Sequence, residues 1–200
     1  MRKYSKAELW AFLRMLDERL EGPATFTVIG GASAVLAYGA TRPTGDIDTW
    51  GSVPATVEQA ATAILSEGHA SVPIGSAGVA DLPSEAEDRF RPVALGLAKL
   101  EVMVPDRYDL ALSKTVRGYA HDFEAIEEMH ESRRFSLKKL IDRFESELDG
   151  IATTDKQKLR LNVAVLIARL FGNKAGEEVA ARWRVTRPRL KNVPRRPPST

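Results

Sequence analysis

Apolar positions follow helical spacing at the start of the chain, strand-like spacing next, and helical spacing again in the second half. Ser5 and Glu8 have the spacing of a capping box, and an apolar stripe then recurs at helical intervals until Gly22 and Pro23. The stripe consists of Leu9, Phe12, Leu13, Leu16 and Leu20. This pattern predicts an amphipathic first helix that ends before residue 22.

The next segments have the composition of strands. Residues 25–29 are rich in β-branched and aromatic types and predict a strand, after which Gly30-Gly31 opens a short helix over 32–38. A second strand is predicted over 46–50. Apolar residues in 93–104 alternate with one change of register, which predicts either one long strand or a hairpin.

Two further segments lie between these strands, and helices follow them. Residues 57–65 predict a surface helix, whereas 71–91, rich in Gly, Pro, Ser and acids, predict mostly loop. After Pro105 the chain is predicted to be helical. Asp106 is placed to cap a helix that includes Leu110 and Lys114. Two later amphipathic helices are predicted from apolar residues over 137–148 and 159–170. Thr154-x-x-Gln157 has the spacing of a capping box before the second helix.

This order of elements predicts an α+β fold, with a small mixed sheet in the N-terminal half and a helical C-terminal half. We expect a catalytic core with its N-terminal helix over 1–105, a helical part over 106–181 and a flexible tail over 182–200. The tail is basic and rich in proline, and no acidic residue follows Glu178. Its cations are Arg182, Arg184, Arg187, Arg189, Lys191, Arg195 and Arg196. Such a segment attracts polyanions or folds onto a partner protein.

Composition excludes several classes of protein. Of the 200 residues 44% are hydrophobic and 28% are charged, and no apolar run approaches the ~20 residues of a membrane span. The N-terminus lacks the apolar core of a secretion signal. The chain has no cysteine, so disulfides and thiolate metal sites are excluded. We therefore expect a cytoplasmic protein that does not bind membranes.

The candidate chemistry lies at Gly30-Gly31 and, after fourteen intervening residues, at Asp46-Ile47-Asp48. In an extended strand residues i and i+2 point the same way, so Asp46 and Asp48 can share a divalent cation. Hard carboxylate ligands suit Mg²⁺ or Mn²⁺. The Gly-Gly turn lets backbone N–H groups approach phosphate oxygens, and Ser33 can add a hydroxyl donor. This combination indicates metal-assisted phosphoryl or nucleotidyl transfer.

Other residues complete the predicted site. Lys114 and Arg117 share a helical face and can neutralise a triphosphate, and Asp122 can orient Lys114 or hold the next helix. Glu101, a charge within an apolar strand, is the candidate third metal ligand, although alternation also permits it to face solvent. If Glu101 is not the ligand, Asp81 or Asp88 in the preceding loop is the next candidate for the third metal ligand.

The segment from Gly30-Gly31 through Arg42-Pro43-Thr44 to Asp46-Ile47-Asp48 resembles the DNA polymerase β-like nucleotidyltransferases, and more narrowly their AbiEii/MenT-type toxin branch. The resemblance resumes over 104–114, which includes Lys114, and over 122–126, and it covers roughly residues 25–130. It implies that Asp46, Asp48 and Lys114 are catalytic. It also implies nucleotide contacts at Gly30, Gly31, Ser33, Arg42, Thr44, Lys114 and Arg117.

The resemblance further implies Mg²⁺-dependent transfer of a nucleotidyl group from an NTP to a macromolecular acceptor, a tRNA 3′ end or a protein side chain. The biological setting that it implies is a toxin–antitoxin or phage-defence system with a cognate antitoxin protein. Two alternatives remain open. One is a degenerate nucleotidyltransferase fold that only binds RNA or a partner. The other is a small-molecule (antibiotic) nucleotidyltransferase, whose acidic acceptor pocket would come from the loop over 71–91.

Overall fold

The computed structural model describes residues 2–77, 81–150 and 155–185. The first half contains helices α1 (Lys6–Arg19), α2 (Gly30–Ala37) and α3 (Ala55–Ser66) and strands β1 (Ala24–Val28), β2 (Ile47–Trp50), β3 (Ile74–Ser76), β4 (Arg91–Pro92) and β5 (Leu100–Val104). The second half contains helices α4 (Arg107–Arg117), α5 (Ala120–Ser132), α6 (Leu137–Arg143), α7 (Lys156–Phe171) and α8 (Asn173–Arg182). A 3₁₀ turn spans Glu87–Arg89, and a π-helical turn, Phe144–Leu148, continues α6.

The five strands form one mixed sheet in the order β3-β2-β1-β5-β4. Strands β1 and β5 are parallel, as are β2 and β3, whereas β1 pairs with β2 and β4 pairs with β5 in antiparallel fashion. This arrangement confirms the predicted α+β class with a small mixed sheet and a helical second half.

Side chains alternate in burial along the central strands. In β1 the even-numbered residues are buried and Thr25 is exposed, and β5 shows the same alternation around Glu101. Helices α1 and α2 contact the sheet through β5 and β2, and they also contact each other. Ser5 caps α1 in the predicted capping box with Glu8. One face of the sheet is therefore packed under helices, while the other face stays partly open.

The predicted strand or hairpin over 93–104 is part of a hairpin that spans residues 91–104. Short strand β4 pairs with the end of β5, with Arg91 opposite Val104, and residues 93–99 make the connection. The predicted loop over 71–91 does contain irregular structure, but it also supplies β3 at one edge of the sheet. The three residues of β3 are too few for alternation to predict them.

The helical half begins as predicted and extends further than predicted. Asp106 caps α4 by accepting a hydrogen bond from the Tyr108 N–H. Asp155 caps α7, whereas the predicted capping residue, Thr154, lies outside the described residues. Helix α8 continues through Arg182 and the following Trp183 is buried, so this part of the segment 182–200 packs against the helices. Residues 186–200 lie outside the described chain.

Trp183 is held by specific contacts. Its ring lies 4.7 Å from that of Phe144, and its Nε1–H donates a hydrogen bond of 2.7 Å to Glu145. In the described parts of the chain, no helix is both long enough and apolar enough to cross a bilayer.

Candidate functional site

Asp46 and Asp48 lie at the start of β2, beside the end of β1. Asp48 lies within β2, and Asp46 is the residue immediately before β2. The Ile29 N–H donates a 2.9 Å hydrogen bond to the Asp48 carbonyl, which fixes this end of the strand against β1. Both carboxylates are half-buried, and both line one cavity. Partial burial, and then the charge of Asp46, raise the pKa of Asp48, whereas the Arg117 charge lowers it.

The two glycines lie directly against this strand. Gly30 begins α2 with a φ of +66°, and a Cβ at this position would lie 3.1 Å from Asp48 Oδ2. A Cβ on Gly31 would lie 2.8 Å from the Thr44 hydroxyl. A side chain at Gly31 would therefore collide with Thr44, and one at Gly30 would also strain the backbone. The Gly-Gly pair permits the close approach of α2 to the acids.

The opposite wall of the site comes from α4 and α5. The Lys114 ammonium is 3.4 Å from Asp122 Oδ1, and Arg117 donates a 2.8 Å hydrogen bond to the same oxygen. Asp122 is fully buried, and the Lys114 side chain is only 6% exposed. Burial lowers the pKa of Lys114, and the charge of Asp122 opposes that shift. Asp122 Oδ2 is buried and has no hydrogen-bond partner among the described residues.

Two adjoining cavities meet between these walls, and both are lined by Asp48, Lys114 and Arg117. The larger, of about 310 Å³, is lined mainly by polar and charged groups. These include Lys3, Arg42, Thr44, Asp46, His121 and Asp122. The smaller, of about 210 Å³, is lined by polar and apolar groups in equal measure. Its other lining residues include Ile29, Asp81, Leu82, Leu110, Ser113 and Val116.

The structure thus gathers most of the predicted residues at one cleft. Arg42 lines the larger cavity, and its exposed guanidinium is 3.2 Å from a Glu124 carboxylate oxygen. Thr44 lies over Gly31, and its backbone pairs with that of Tyr4 in an isolated bridge. The cleft therefore has two acids on one wall and two cations on the other.

Glu101 lies outside this cleft because of the register of the sheet. Glu101 pairs with Thr25, whereas Asp48 is bonded to Ile29, four residues further along the chain. Four extended residues span about 13 Å. Glu101 is exposed and accepts a 3.3 Å hydrogen bond from the Thr25 hydroxyl. The expectation that Glu101 completes the metal site is therefore wrong for this arrangement.

Ser33 also differs from expectation. Its side chain is fully buried, and its hydroxyl donates a 3.0 Å hydrogen bond to the Gly30 carbonyl within α2. It stabilises the first turn of α2 and does not line either cavity.

Of the alternative acids, Asp81 lines the smaller cavity, whereas Asp88 is exposed on the 3₁₀ turn. Within residues 2–77, 81–150 and 155–185, no group of three or more acidic or histidine side chains is placed to hold a metal ion together. The candidate metal ligands in the described chain are therefore the Asp46 and Asp48 pair.

A charge network that sequence reasoning missed fixes the loop beside the smaller cavity. Arg89 donates hydrogen bonds of 2.9 and 3.0 Å to the fully buried Asp109 and one of 2.5 Å to Glu147. Arg143 also donates a 3.0 Å hydrogen bond to Asp109. Asp109 lies on the same helical face as Leu112 and Val116, and an acid on an apolar stripe is the signal that indicates a buried cationic partner.

The sequence of the chain matches a known protein family over most of its length. Residues 7–166 match the family described as "Nucleotidyltransferase of unknown function (DUF6036)". The chain belongs to this family. The match includes the whole sheet and the cleft residues from Gly30 to Asp122, and it ends within α7.

Membership of the DUF6036 family confirms the nucleotidyltransferase superfamily that the Gly-Gly and Asp-x-Asp segment indicated. The family description names neither the AbiEii/MenT-type branch nor a substrate. No curated protein and no solved structure is significantly similar to the chain. For this DUF6036 member, the substrates and the roles of individual residues therefore have to be argued from the cleft.

Proposed function

We propose that this protein transfers a nucleotidyl group from an NTP to a macromolecular acceptor, in a reaction that depends on Mg²⁺ or Mn²⁺. The observation that supports this most directly is the arrangement of the cleft. Asp46 and Asp48 lie on one wall, Lys114 and Arg117 lie on the other, and both cavities meet between them. One cavity can receive the nucleotide while the other receives the acceptor.

The acids suit a divalent cation. Neither the Asp46 nor the Asp48 side chain accepts a hydrogen bond from the described residues, so their oxygens are available as ligands. Mg²⁺ is commonly held by one or two carboxylates together with substrate phosphates, which this donor set provides. A cation held there would neutralise charge on the reacting phosphate.

The remaining groups would act on the nucleotide itself. In the proposed reaction an acceptor oxygen bonds to the α-phosphorus, the bond from that phosphorus to the pyrophosphate oxygen breaks, and the acceptor proton passes to solvent. Lys114 and Arg117 would offset the negative charge of the phosphates. Gly30 and Gly31 let the backbone at the start of α2 approach phosphate oxygens.

The setting proposed is that of the toxin in a cytoplasmic toxin–antitoxin or phage-defence pair, with an antitoxin protein as partner. This part of the proposal rests on the resemblance to the AbiEii/MenT-type branch. Within it the acceptor is a tRNA or another RNA, or a protein side chain.

The test is to incubate the protein with each α-³²P-labelled NTP, Mg²⁺, total RNA and cell lysate, and to resolve which macromolecule gains label. Label on RNA or protein with the wild type, lost with Asp48→Asn and retained with the matched loop variant Asp88→Asn, is the expected result. Absence of labelling with all four nucleotides, or equal labelling by Asp48→Asn, would contradict the proposal.

A second candidate is a module that binds nucleotide or RNA without transfer. It is favoured by the lack, among the described residues, of a third acidic ligand beside Asp46 and Asp48. Saturable NTP binding by the wild type without labelling of any acceptor would select this candidate.

A further inference from the structure

Tyr119 is an exposed aromatic residue between α4 and α5. The residue is 59% exposed. Its ring stacks on the His121 ring, with 5.5 Å between the centroids and 27° between the planes. His121 lines the larger cavity together with Lys114 and Arg117. Single exposed aromatics are common on protein surfaces, but this one continues a stacked pair that leads into the cleft.

The corner that presents Tyr119 is held firmly. Gly118 ends α4 with a φ of +65°, and a Cβ there would lie 2.2 Å from Asn162 Nδ2. That amide nitrogen of Asn162, on α7, donates a 2.8 Å hydrogen bond to the Thr115 carbonyl. The turn is thus fixed between α4 and α7, and Tyr119 is presented without a loop that would have to become ordered on binding.

The surface beside this pair carries cations that face the same cavity. Lys3, Arg42 and Arg117 are exposed and line it. Of the acids nearby, Asp122 pairs with Arg117 and Glu124 pairs with Arg42, while Asp46 and Asp48 are the proposed ligands of a divalent cation. Cations beside an exposed aromatic are the combination that binds single-stranded nucleic acid, where phosphates meet the cations and bases stack on the rings.

We propose that the Tyr119–His121 pair is a stacking platform for a base near the end of a single-stranded RNA acceptor, whose phosphates contact Lys3 and Arg42. This assignment rests on the proposed function and selects RNA among its acceptors. A polypeptide lacks the regular phosphates that match the cations. A cationic antibiotic would be repelled by them.

The experiment measures binding of the full chain to a 5′-fluorescein-labelled single-stranded RNA of about ten nucleotides by fluorescence anisotropy, without NTP. We expect Tyr119→Leu to weaken binding roughly 5- to 150-fold, the range for loss of one base–aromatic stack. Tyr119→Trp should bind at least as tightly as the wild type. The control is Trp10→Leu, because Trp10 is an exposed aromatic on α1 that lines neither cavity of the site, and this variant should not change affinity.

Salt dependence separates stacking from charge. Tyr119→Leu should leave the slope of log affinity against log salt unchanged, whereas Lys3→Gln should flatten it by about 0.7, since one phosphate contact on a single strand is lost. The same RNA annealed into a blunt duplex should bind Tyr119→Leu and the wild type equally, since its terminal bases are not free to stack.

The platform is overturned if Tyr119→Leu binds the single strand as tightly as the wild type, or if Trp10→Leu weakens binding equally. It is also overturned if the labelling experiment marks only protein and Tyr119→Leu labels as well as the wild type. Failure of the proposed function looks different: Tyr119→Leu would weaken RNA binding, yet no acceptor would gain label.

Discussion

Replacing Asp122 with asparagine tests whether Lys114 depends on a buried counter-ion. The substitution keeps the shape of the side chain and removes its charge, so the ammonium loses its anionic partner at 3.4 Å. Removing one member of a buried pair costs about 3 to 5 kcal/mol, since the other charge stays desolvated. Arg117 has an exposed side chain that water can solvate, so its lost ion pair should add less than about 1 kcal/mol.

Lysine can lose its proton, and this sets an upper limit on the stability that the buried Lys114 charge can cost in the variant. The ordinary pKa of the side chain is 10.5. Forcing Lys114 to be neutral at pH 7 costs at most about 4.8 kcal/mol, from 3.5 units at 1.36 kcal/mol each, and at pH 9 at most about 2 kcal/mol. In the folded variant the pKa of Lys114 lies further below its value in the unfolded chain than it does in the wild type. The penalty is therefore largest at low pH and fades as pH rises towards 10.5.

We expect Asp122→Asn to lower the free energy of unfolding by about 3 to 4 kcal/mol at pH 7 and by about 2 kcal/mol or less at pH 9. Urea denaturation followed by circular dichroism at both pH values measures this. The matched control is Asp142→Asn, which breaks the exposed pair with Lys138 and should cost less than about 1 kcal/mol at either pH.

Adding Lys114→Met to Asp122→Asn should restore much of the lost stability, since no buried charge then remains without a partner. A loss of the same size at pH 7 and pH 9, without recovery in the double variant, would refute the view that Lys114 is a buried cation neutralised by Asp122.

Three further variants test the rest of the site and the C-terminal helix. Asp48→Asn should lower transfer by at least about 100-fold through loss of a metal ligand. Without metal it should raise the melting temperature at pH 7, because the pKa of Asp48 is raised by burial and by Asp46. That gain should vanish as pH falls below about 4, where the carboxyl is protonated in both states; a lower melting temperature at pH 7 would contradict it. Lys114→Ala should weaken NTP binding in calorimetric titration more than Asp88→Asn does, and equal dissociation constants would remove its phosphate role. Trp183→Ala should cost about 3 to 5 kcal/mol in urea unfolding, because the ring packs on Phe144; a loss below about 1 kcal/mol would show that this end is not part of the core.

Local signals in the sequence were enough for most of the helices and strands and for the pairing of the two candidate metal ligands. The capping box at Ser5 and the stripe behind it fix α1, because i, i+3 and i, i+4 contacts depend only on neighbours in the chain. The same holds for Asp106 at the start of α4. Asp46 and Asp48 could be predicted to lie together because two acids separated by one residue of a strand share a face whatever the rest of the chain does.

The position of Glu101 relative to Asp46 and Asp48 could not be predicted in this way. Glu101 satisfied the local pattern, a charge in an apolar strand, but its distance from Asp48 depends on how β5 is registered on β1. Parallel pairing joins residues more than seventy positions apart, and a shift along the strand moves a side chain about 3.3 Å per residue without changing the pattern. Ser33 was misjudged for a related reason, since only packing decides which face of a short helix is buried.

Charge pairing across the fold was also decided by tertiary structure alone. The sequence placed Lys114 and Arg117 on one helical face, but it did not place that face opposite Asp48. Arg89 and Asp109 illustrate the same limit, as they are twenty residues apart and meet only because the loop folds onto α4. Helical and strand periodicity is set by the backbone, and so it can be read locally. The energy of a buried charge depends on every group packed around it, and those neighbours come from distant parts of the chain.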